Sequence, residues 1–342
     1  MKRITKWFQE AVVAFCVVTI FITFVGVATF VPSTRETLSE SLIEAIKDGE
    51  QFFTFNSHGL NVVEILYPIS KDPTLFQANY GDIHCKRIGD LWFMYIPQKY
   101  NNNTLCQAEI DCVANEIITE LDVQNKSDFE KAYAIYNWIC QNISYEKLDD
   151  CRDQDIYYAL VHKKSVCAGM SKSFVYLLSK VGIDGSVISG KTIYLDEPMN
   201  HAWAVAYLDG VPYSFDITND IGNQPDQYEY FAITSREIAK KYTISEYSQE
   251  ITCSNNDCDL FVRNNAIIHN GSVDALIELA QKKNGYFFVK CSNDDIFNEA
   301  VKSLTGPEFK DRLNGIYGKT VYIEKYTNAS VNIIGLSIDQ YT

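Results

Sequence analysis

Apolar residues recur at three- and four-residue spacing in some stretches and at two-residue spacing in others, which sets the chain out as mixed α and β. Phe129, Ala132, Ile135, Tyr136 and Ile139 share one face of a helix predicted over Phe129–Asn142, with Asn125-Lys126-Ser127-Asp128 as its start signal. Phe174, Val175, Leu178 and Val181 form a second stripe, which Gly182 stops. Leu38–Ile46, Asn61–Tyr67, Ala114–Leu121, Val273–Gln281 and Asp295–Leu304 read as further helices. Strands are expected at Gln51–Phe55, Leu91–Ile96 and Tyr286–Lys290, and at Lys319–Lys325 and Ser330–Ile338 around a Thr327-Asn328 turn. The strongest β signal is Ala202–Leu208 and Val211–Ile217 flanking Asp209-Gly210, because that dipeptide accepts the positive φ of a two-residue hairpin turn. One run fits neither period. Ala11–Val31 holds 21 residues without a charge, enough to cross a bilayer as a helix.

The hairpin fixes which side chains meet. With Leu208 paired to Val211, Trp203 stands opposite Asp216 and His201 opposite Thr218, so all four share one face. Asp216 is then the diagonal neighbour of His201, about 7–8 Å away between backbones and within side-chain reach. A one-residue slip would separate them. Upstream, Cys167 falls at the first turn of the helix carrying the second stripe, where unpaired N–H groups and the positive dipole end favour a thiolate. Gly169 permits close backbone approach there. A thiol, an imidazole and a carboxylate are the groups that thiol-based acyl transfer requires: nucleophile, proton carrier and orienting acid. Taken singly, Cys167 reads equally as a structural thiol, His201 as a half-buried strand residue and Asp216 as a solvated strand charge.

The segment from Asp128 to Asn219 resembles the transglutaminase-like superfamily in its bacterial branch. The likeness rests on Val166-Cys167-Ala168-Gly169, Leu177-Leu178 through Gly182-Ile183, His201-Ala202-Trp203 and Asp216-Ile217-Thr218. It implies a papain-like α+β core, with a helix carrying Cys167 packed on an antiparallel sheet carrying His201 and Asp216. Cys167 would be the nucleophile, His201 the general acid/base and Asp216 the orienting acid. Ala204, Tyr213 and Met170-Ser171 depart from residues frequent in the family, so substrate preference does not carry over. Asp72-Pro73-Thr74-Leu75-Phe76 and Ile96-Pro97-Gln98-Lys99-Tyr100 are similar to segments that often precede this core. The backbone N–H of Cys167 is a natural oxyanion donor. In this branch a Tyr often stands at the place of Tyr157, whose phenol is a second candidate donor or else a packing group. Trp203 either walls the acyl site or fills the core beside His201.

A net charge of −14 and the lack of a basic aromatic stripe argue against nucleic acid as a partner. Lys2, Arg3 and Lys6 before the long apolar run place the N-terminus inside and the remainder outside a cell membrane, tethered through residues 11–31. Cleavage after Gly26-Val27-Ala28, giving a secreted protein, is the alternative. Setting aside Cys16 and Cys167 leaves eight cysteines, an even number that outside the cytoplasm suggests disulfides, with Cys106/Cys112, Cys140/Cys151 and Cys253/Cys258 as local pairs. No Cys-x-x-Cys pair or matching His spacing points to zinc, and neither a metal nor another cofactor is expected. Four segments are expected: an anchor over 1–34, a small α+β unit over 35–112, the catalytic core over 113–232 and a second α+β unit over 233–342.

Three functions fit this sequence. The first is an anchored cysteine enzyme of transglutaminase type, forming an acyl-thioester on protein or peptide carboxamides, then passing it to an amine or water as acyltransferase or hydrolase. The second is a thiol peptidase with the same three residues. The third is a non-catalytic surface binding module. The partner in the first two is a protein or peptide substrate, in keeping with a cell-surface setting.

Overall fold

The computed structural model describes residues 29–48, 50, 52–61, 64–65, 84–95, 104–148, 152–194, 196–245, 248–283 and 286–340. The chain divides into two compact units, Met1–Ile110 and Asp111–Thr342.

In the first unit, β1 (Thr29–Phe30) pairs parallel with β2 (Phe52–Asn56). Strand β4 (Leu91–Tyr95) lies antiparallel between β2 and β3 (His84–Ile88). Helix α1 (Leu38–Lys47) lays Leu38, Leu42 and Ile46, one turn apart, against Phe53, Phe55, Trp92 and Met94 of the sheet. Val31 is buried in the same core. This corrects the expected membrane span at its end. Thr29 and Phe30 pair with β2 in a sheet, so these two residues are not part of a membrane-spanning helix. The rest of that run lies outside the described residues, as do Asp72–Phe76 and Ile96–Tyr100 and most of the Asn61–Tyr67 helix. Among the described residues no helix is long and apolar enough to cross a membrane.

The second unit carries the Cys, His and Asp. Helix α2 spans Thr104–Leu121 and crosses the division. Helix α3 (Asp128–Asn142) starts at a capping box: Ser127 accepts from the Glu130 N–H while the Glu130 carboxylate takes the Ser127 N–H. Its predicted stripe is buried at Ala132, Ile135, Tyr136 and Ile139. Short strands β5 (Ser144–Tyr145) and β6 (Lys164–Ser165) pair in parallel around helix α4 (Ile156–His162). Helix α5 (Cys167–Lys180) then runs through the interior, buried along most of its length. An antiparallel sheet covers it in the order β10-β7-β8-β9, with β7 at Gly185–Thr192, β8 at Asn200–Leu208, β9 at Val211–Phe215 and β10 at Tyr242–Ile244. Tyr136, Phe174, Phe215 and Phe231 pack ring against ring at 5.0–6.2 Å between helix and sheet.

The chain continues through α6 (Ser235–Ile238) and α7 (Leu260–Arg263) into another sheet, ordered β11-β12-β14-β13. Its strands are β11 (Ile267–Ile268), β12 (Phe287–Cys291), β13 (Val321–Asn328) and β14 (Ile333–Gln340). Helices α8 (Val273–Lys282), α9 (Asp294–Thr305) and α10 (Pro307–Tyr317) share its core. The hairpin joining β13 to β14 closes at Asn328 opposite Ile333, so the turn occupies 329–332 rather than Thr327-Asn328. The expected boundary at 232 cuts through a continuous core. Strand β10 belongs to the sheet that carries His201, and Ile188, Trp203 and Val205 pack in one cluster with Phe261, Val331 and Ile333.

Among the described residues, the expected Cys253/Cys258 disulfide is not formed and Cys140 is not half of one. Cys140, Cys253, Cys258 and Cys291 are free, buried thiols. Cys106 and Cys112 lie on the same helix six residues apart, about 9 Å along its axis and beyond the reach of a disulfide. Cysteine serves here as a small apolar core residue.

Candidate active site

Three short elements hold the start of α5 in place. Ser165 donates to the Asp153 carbonyl at 2.6 Å, and the Val166 N–H donates to the same oxygen at 3.0 Å. A Cβ on Gly169 would sit 2.1 Å from Ser165 Oγ and 2.8 Å from that carbonyl, so this contact requires glycine. Val166 is extended at the N-cap and no side chain caps the first turn. Cys167, half-buried, heads the helix with its first-turn N–H groups turned to the site.

His201 and Asp216 arrive in the register the hairpin predicts. Leu208 pairs with Val211 and Ala204 with Phe215, which leaves Asp216 one step beyond. The strand ends at Phe215, and Asp216 opens a 3-10 turn over Ile217–Asp220, so Thr218 lies in a turn rather than in a strand. His201 Nε2 lies 3.1 and 3.0 Å from the two Asp216 carboxylate oxygens. Cys167 lies close enough to the imidazole to act on its pKa. With Nε2 held by Asp216, Nδ1 is the nitrogen left for the thiol. Asp216 is wholly buried and accepts a further hydrogen bond from Asn219 Nδ2.

A stack of rings holds the imidazole. The His201 ring lies 4.4 Å from Tyr242, nearly parallel, and Trp203 stacks on Tyr242 at 5.4 Å. Gly190 pairs with His201 across β7 and β8. A Cβ there would meet the Thr243 carbonyl at 2.1 Å and the Trp203 ring at 2.9 Å, so this glycine lets β10 bring Tyr242 over the histidine. Asn219 Nδ2 also donates to Tyr242 at 2.9 Å, and Lys241 holds the Asn219 Oδ1 at 2.6 Å. Asp216, Asn219, Tyr242 and Lys241 therefore form one hydrogen-bonded chain behind the imidazole.

Burial alone would lower the His201 pKa, but the charge and hydrogen bonds of Asp216, together with the nearby Cys167, raise it to about 10. The folded imidazole thus holds its proton over a range where the unfolded one, near 6.5, has lost it. Its contribution to stability is fully present below about pH 6.5 and is lost as the pH rises through about 10. Denaturant unfolding of wild type and His201→Gln across pH 6–10.5 should show a stability gap that is widest at the acid end and closes near pH 10. A gap that does not change with pH would show that His201 titrates normally.

Of the five residues singled out in the sequence, Cys167, His201 and Asp216 converge and Trp203 backs the imidazole. Tyr157 packs its ring edge-on against His162 at 5.6 Å within α4. Tyr145, Asn219, Lys241 and Tyr242 join the site without a local sequence signal. Tyr145, half exposed, pairs with Ser165 across β5 and β6, two residues before Cys167, and burial, then the Cys167 and Asp153 charges, raise its pKa. Among the described residues no group of three His, Cys, Asp or Glu side chains is placed to hold a metal.

Residues 115–217 match the family profile of the transglutaminase-like superfamily, a span that contains Cys167, His201 and Asp216. A crystal structure of a TGase is similar over 57% of this chain and 60% of its own, at 13% identity and a TM-score of 0.32. A candidate cysteine protease from Cytophaga hutchinsonii is similar over 41% of this chain and 62% of its own, at 14% identity and a TM-score of 0.29. A candidate protease from Parabacteroides distasonis is similar over 48% and 39% respectively, at 13% identity and a TM-score of 0.24. Each of these is longer than the part this chain matches, which is under two thirds of its length. No curated protein matches the sequence.

Proposed function

We propose that the transglutaminase-like domain is a cysteine acyl-transfer centre acting on carboxamides of proteins or peptides. The observation that carries this reading is the arrangement of His201, held through Nε2 by both oxygens of a buried Asp216 and close enough to Cys167 for the thiol to act on its pKa. The Cys167 thiolate attacks the carboxamide carbon while the imidazolium waits at Nδ1. A C–S bond forms, and the new oxyanion takes the Cys167 N–H at the uncapped helix start. The C–N bond then breaks, and Nδ1 gives its proton to the departing amine or ammonia. In the thioester that remains, an amine or water attacks the same carbon, His201 takes its proton, and the thiolate leaves. Asp216 stabilises the imidazolium throughout and fixes its orientation. Half-exposed Tyr145, paired with Ser165 just before the helix that carries Cys167, is a candidate to line the acyl path.

The same steps serve side-chain carboxamides and backbone amides, so the products decide between acyl transfer and peptidase action. Incubation with a glutamine-containing protein should release ammonia, or incorporate an added primary amine, without new peptide termini. New termini without ammonia would make the protein a thiol peptidase. Neither product, with Cys167 unlabelled by electrophiles, would leave a binding module. The reading includes an extracytoplasmic setting, with the apolar run from Ala11 as the anchor. Protease added to intact cells should then digest the domain, and protection until lysis would reverse that orientation.

A further inference from the structure

Behind the catalytic residues lies a cavity of about 470 Å³, between the β9–β10 connection and the β13–β14 turn. This size is in the range of small-ligand sites. The walls carry charge that the acyl-transfer steps do not use. Lys240, on one side, is consumed by the fold: its ammonium bonds Asp294 at 2.5 Å, Asn332 Oδ1 at 3.1 Å and the Ala329 carbonyl at 3.3 Å. Glu229 is buried and takes Tyr326 OH at 2.9 Å and the Asn328 amide. Lys241 differs from both. Its ammonium meets neutral groups, Asn219 Oδ1 at 2.6 Å and Tyr230 OH at 3.3 Å. The rings of Tyr230, Tyr194 and Tyr242 surround it at 4.7–5.6 Å. The carboxylates of Asp216, Glu229 and Asp220 act on it through space, and none of the described ion pairs includes it. Burial lowers its pKa, the direction expected of an ammonium without a paired anion.

We propose that this cavity is a binding site for a carboxylate, received by Lys241 inside its cage of tyrosines. An ammonium has three donors, and the two bonds to Asn219 and Tyr230 leave one for the ligand. The tyrosine faces suit a ligand with a flat or apolar body behind the acid group. The one ammonium with a donor to spare matches the charge of a single carboxylate and leaves the second charge of a phosphate dianion unmatched. Lys240 is neutralised by Asp294 and adds no second cation, while Glu229 also lines the cavity and would repel an extra charge. The carboxylate belongs either to a free small acid or to a polypeptide end or side chain. The site stands apart from the acyl-transfer reading, because binding can be measured without turnover.

The test is calorimetric titration of the full chain carrying Cys167→Ser with four probes: benzoate, an acetylated hexapeptide with a free C-terminal carboxylate, its C-terminal amide, and inorganic phosphate. Benzoate, the peptide acid or both should bind, with the amide and phosphate at least about tenfold weaker. Binding by benzoate alone identifies a free acid as the ligand, and binding by the peptide acid alone identifies a polypeptide. Lys241→Gln should weaken the bound probe by about tenfold or more. Because Lys241 also holds Asn219, Tyr194→Ala is the second variant. That ring is more than half exposed and its loss leaves the fold intact, so it should weaken binding several-fold. Failure of both acids to bind, preference for phosphate, or unchanged affinity in Tyr194→Ala and Lys241→Gln would each overturn the proposal.

Discussion

Asp216→Asn should keep its fold and lose most of its turnover, by a factor on the order of 10⁴, as an amide does in the orienting position of a Ser-His-Asp site. The surroundings of Asp216 give the reason. Asn219 Nδ2 donates to Asp216 Oδ2, and Lys241 fixes the other end of that Asn219 amide. An asparagine at 216 must therefore turn its carbonyl to Asn219 and its NH₂ to His201. A donor facing Nε2 stabilises the tautomer with its proton on Nδ1, the nitrogen that must accept the thiol proton. The backbone bond from the Asp216 N–H to the Tyr230 carbonyl, at 3.1 Å, is untouched, which favours a folded variant. Turnover and circular dichroism together check this outcome. A folded variant with wild-type turnover would make Asp216 a structural residue and reduce the site to a Cys–His pair.

Asp220→Ala should act on stability instead. Asp220 is wholly buried and ties the 3-10 turn after Asp216 to its neighbours. Its carboxylate accepts Tyr136 OH at 2.6 Å, the Tyr230 N–H at 2.9 Å and the Glu229 N–H at 2.8 Å. Burial pushes this carboxyl up to about 7 in spite of those hydrogen bonds, so it is costly to ionise, yet the Tyr136 hydroxyl and the two backbone N–H groups have no water to turn to. Each buried donor left unmade costs about 1–3 kcal/mol, which sums to roughly 3–6 kcal/mol with some relaxation. That is a large share of the roughly 5–15 kcal/mol by which a domain is folded. Asp220→Asn keeps an acceptor for a backbone N–H and should cost clearly less. Urea midpoints for the two variants provide the check, and equal midpoints would show that the carboxylate is dispensable.

The catalytic geometry was legible where local chemistry fixes it. Asp209-Gly210 dictates the turn, the turn dictates the register, and alternation then places His201 beside Asp216. The Val166–Gly169 run and its apolar stripe likewise locate Cys167 at a helix start. Strand β7 was not legible. Gly185 and Gly190 interrupt its pattern, and both answer to distant contacts, Val175 and Trp203 respectively. Tyr242 reaches His201 from beyond an expected domain boundary, because β10 joins the sheet at its far edge, a long-range pairing that local sequence does not encode. Helix α10 has sequence signals at both ends, Pro307 in its first turn and Gly318, left-handed, just after its last residue. Counting cysteines misled for a physical reason. An even count suggests pairs, but burial of Cys140, Cys253, Cys258 and Cys291 as thiols gives the same count without a bond.

The free thiols also change what a labelling experiment should find. Cys112 is exposed on α2, so Cys167 is not expected to be the sole reactive cysteine of the folded protein. The distinguishing property is dependence on His201. The decisive measurement is the rate of alkylation at each cysteine by iodoacetamide at neutral pH, resolved by peptide mass spectrometry, in the wild type and in His201→Ala. Cys167 should react faster than exposed Cys112 in the wild type and should lose that advantage in His201→Ala, while Cys112 is unchanged. A Cys167 that reacts no faster than Cys112, or at the same rate with and without the imidazole, would contradict a Cys167–His201–Asp216 catalytic unit.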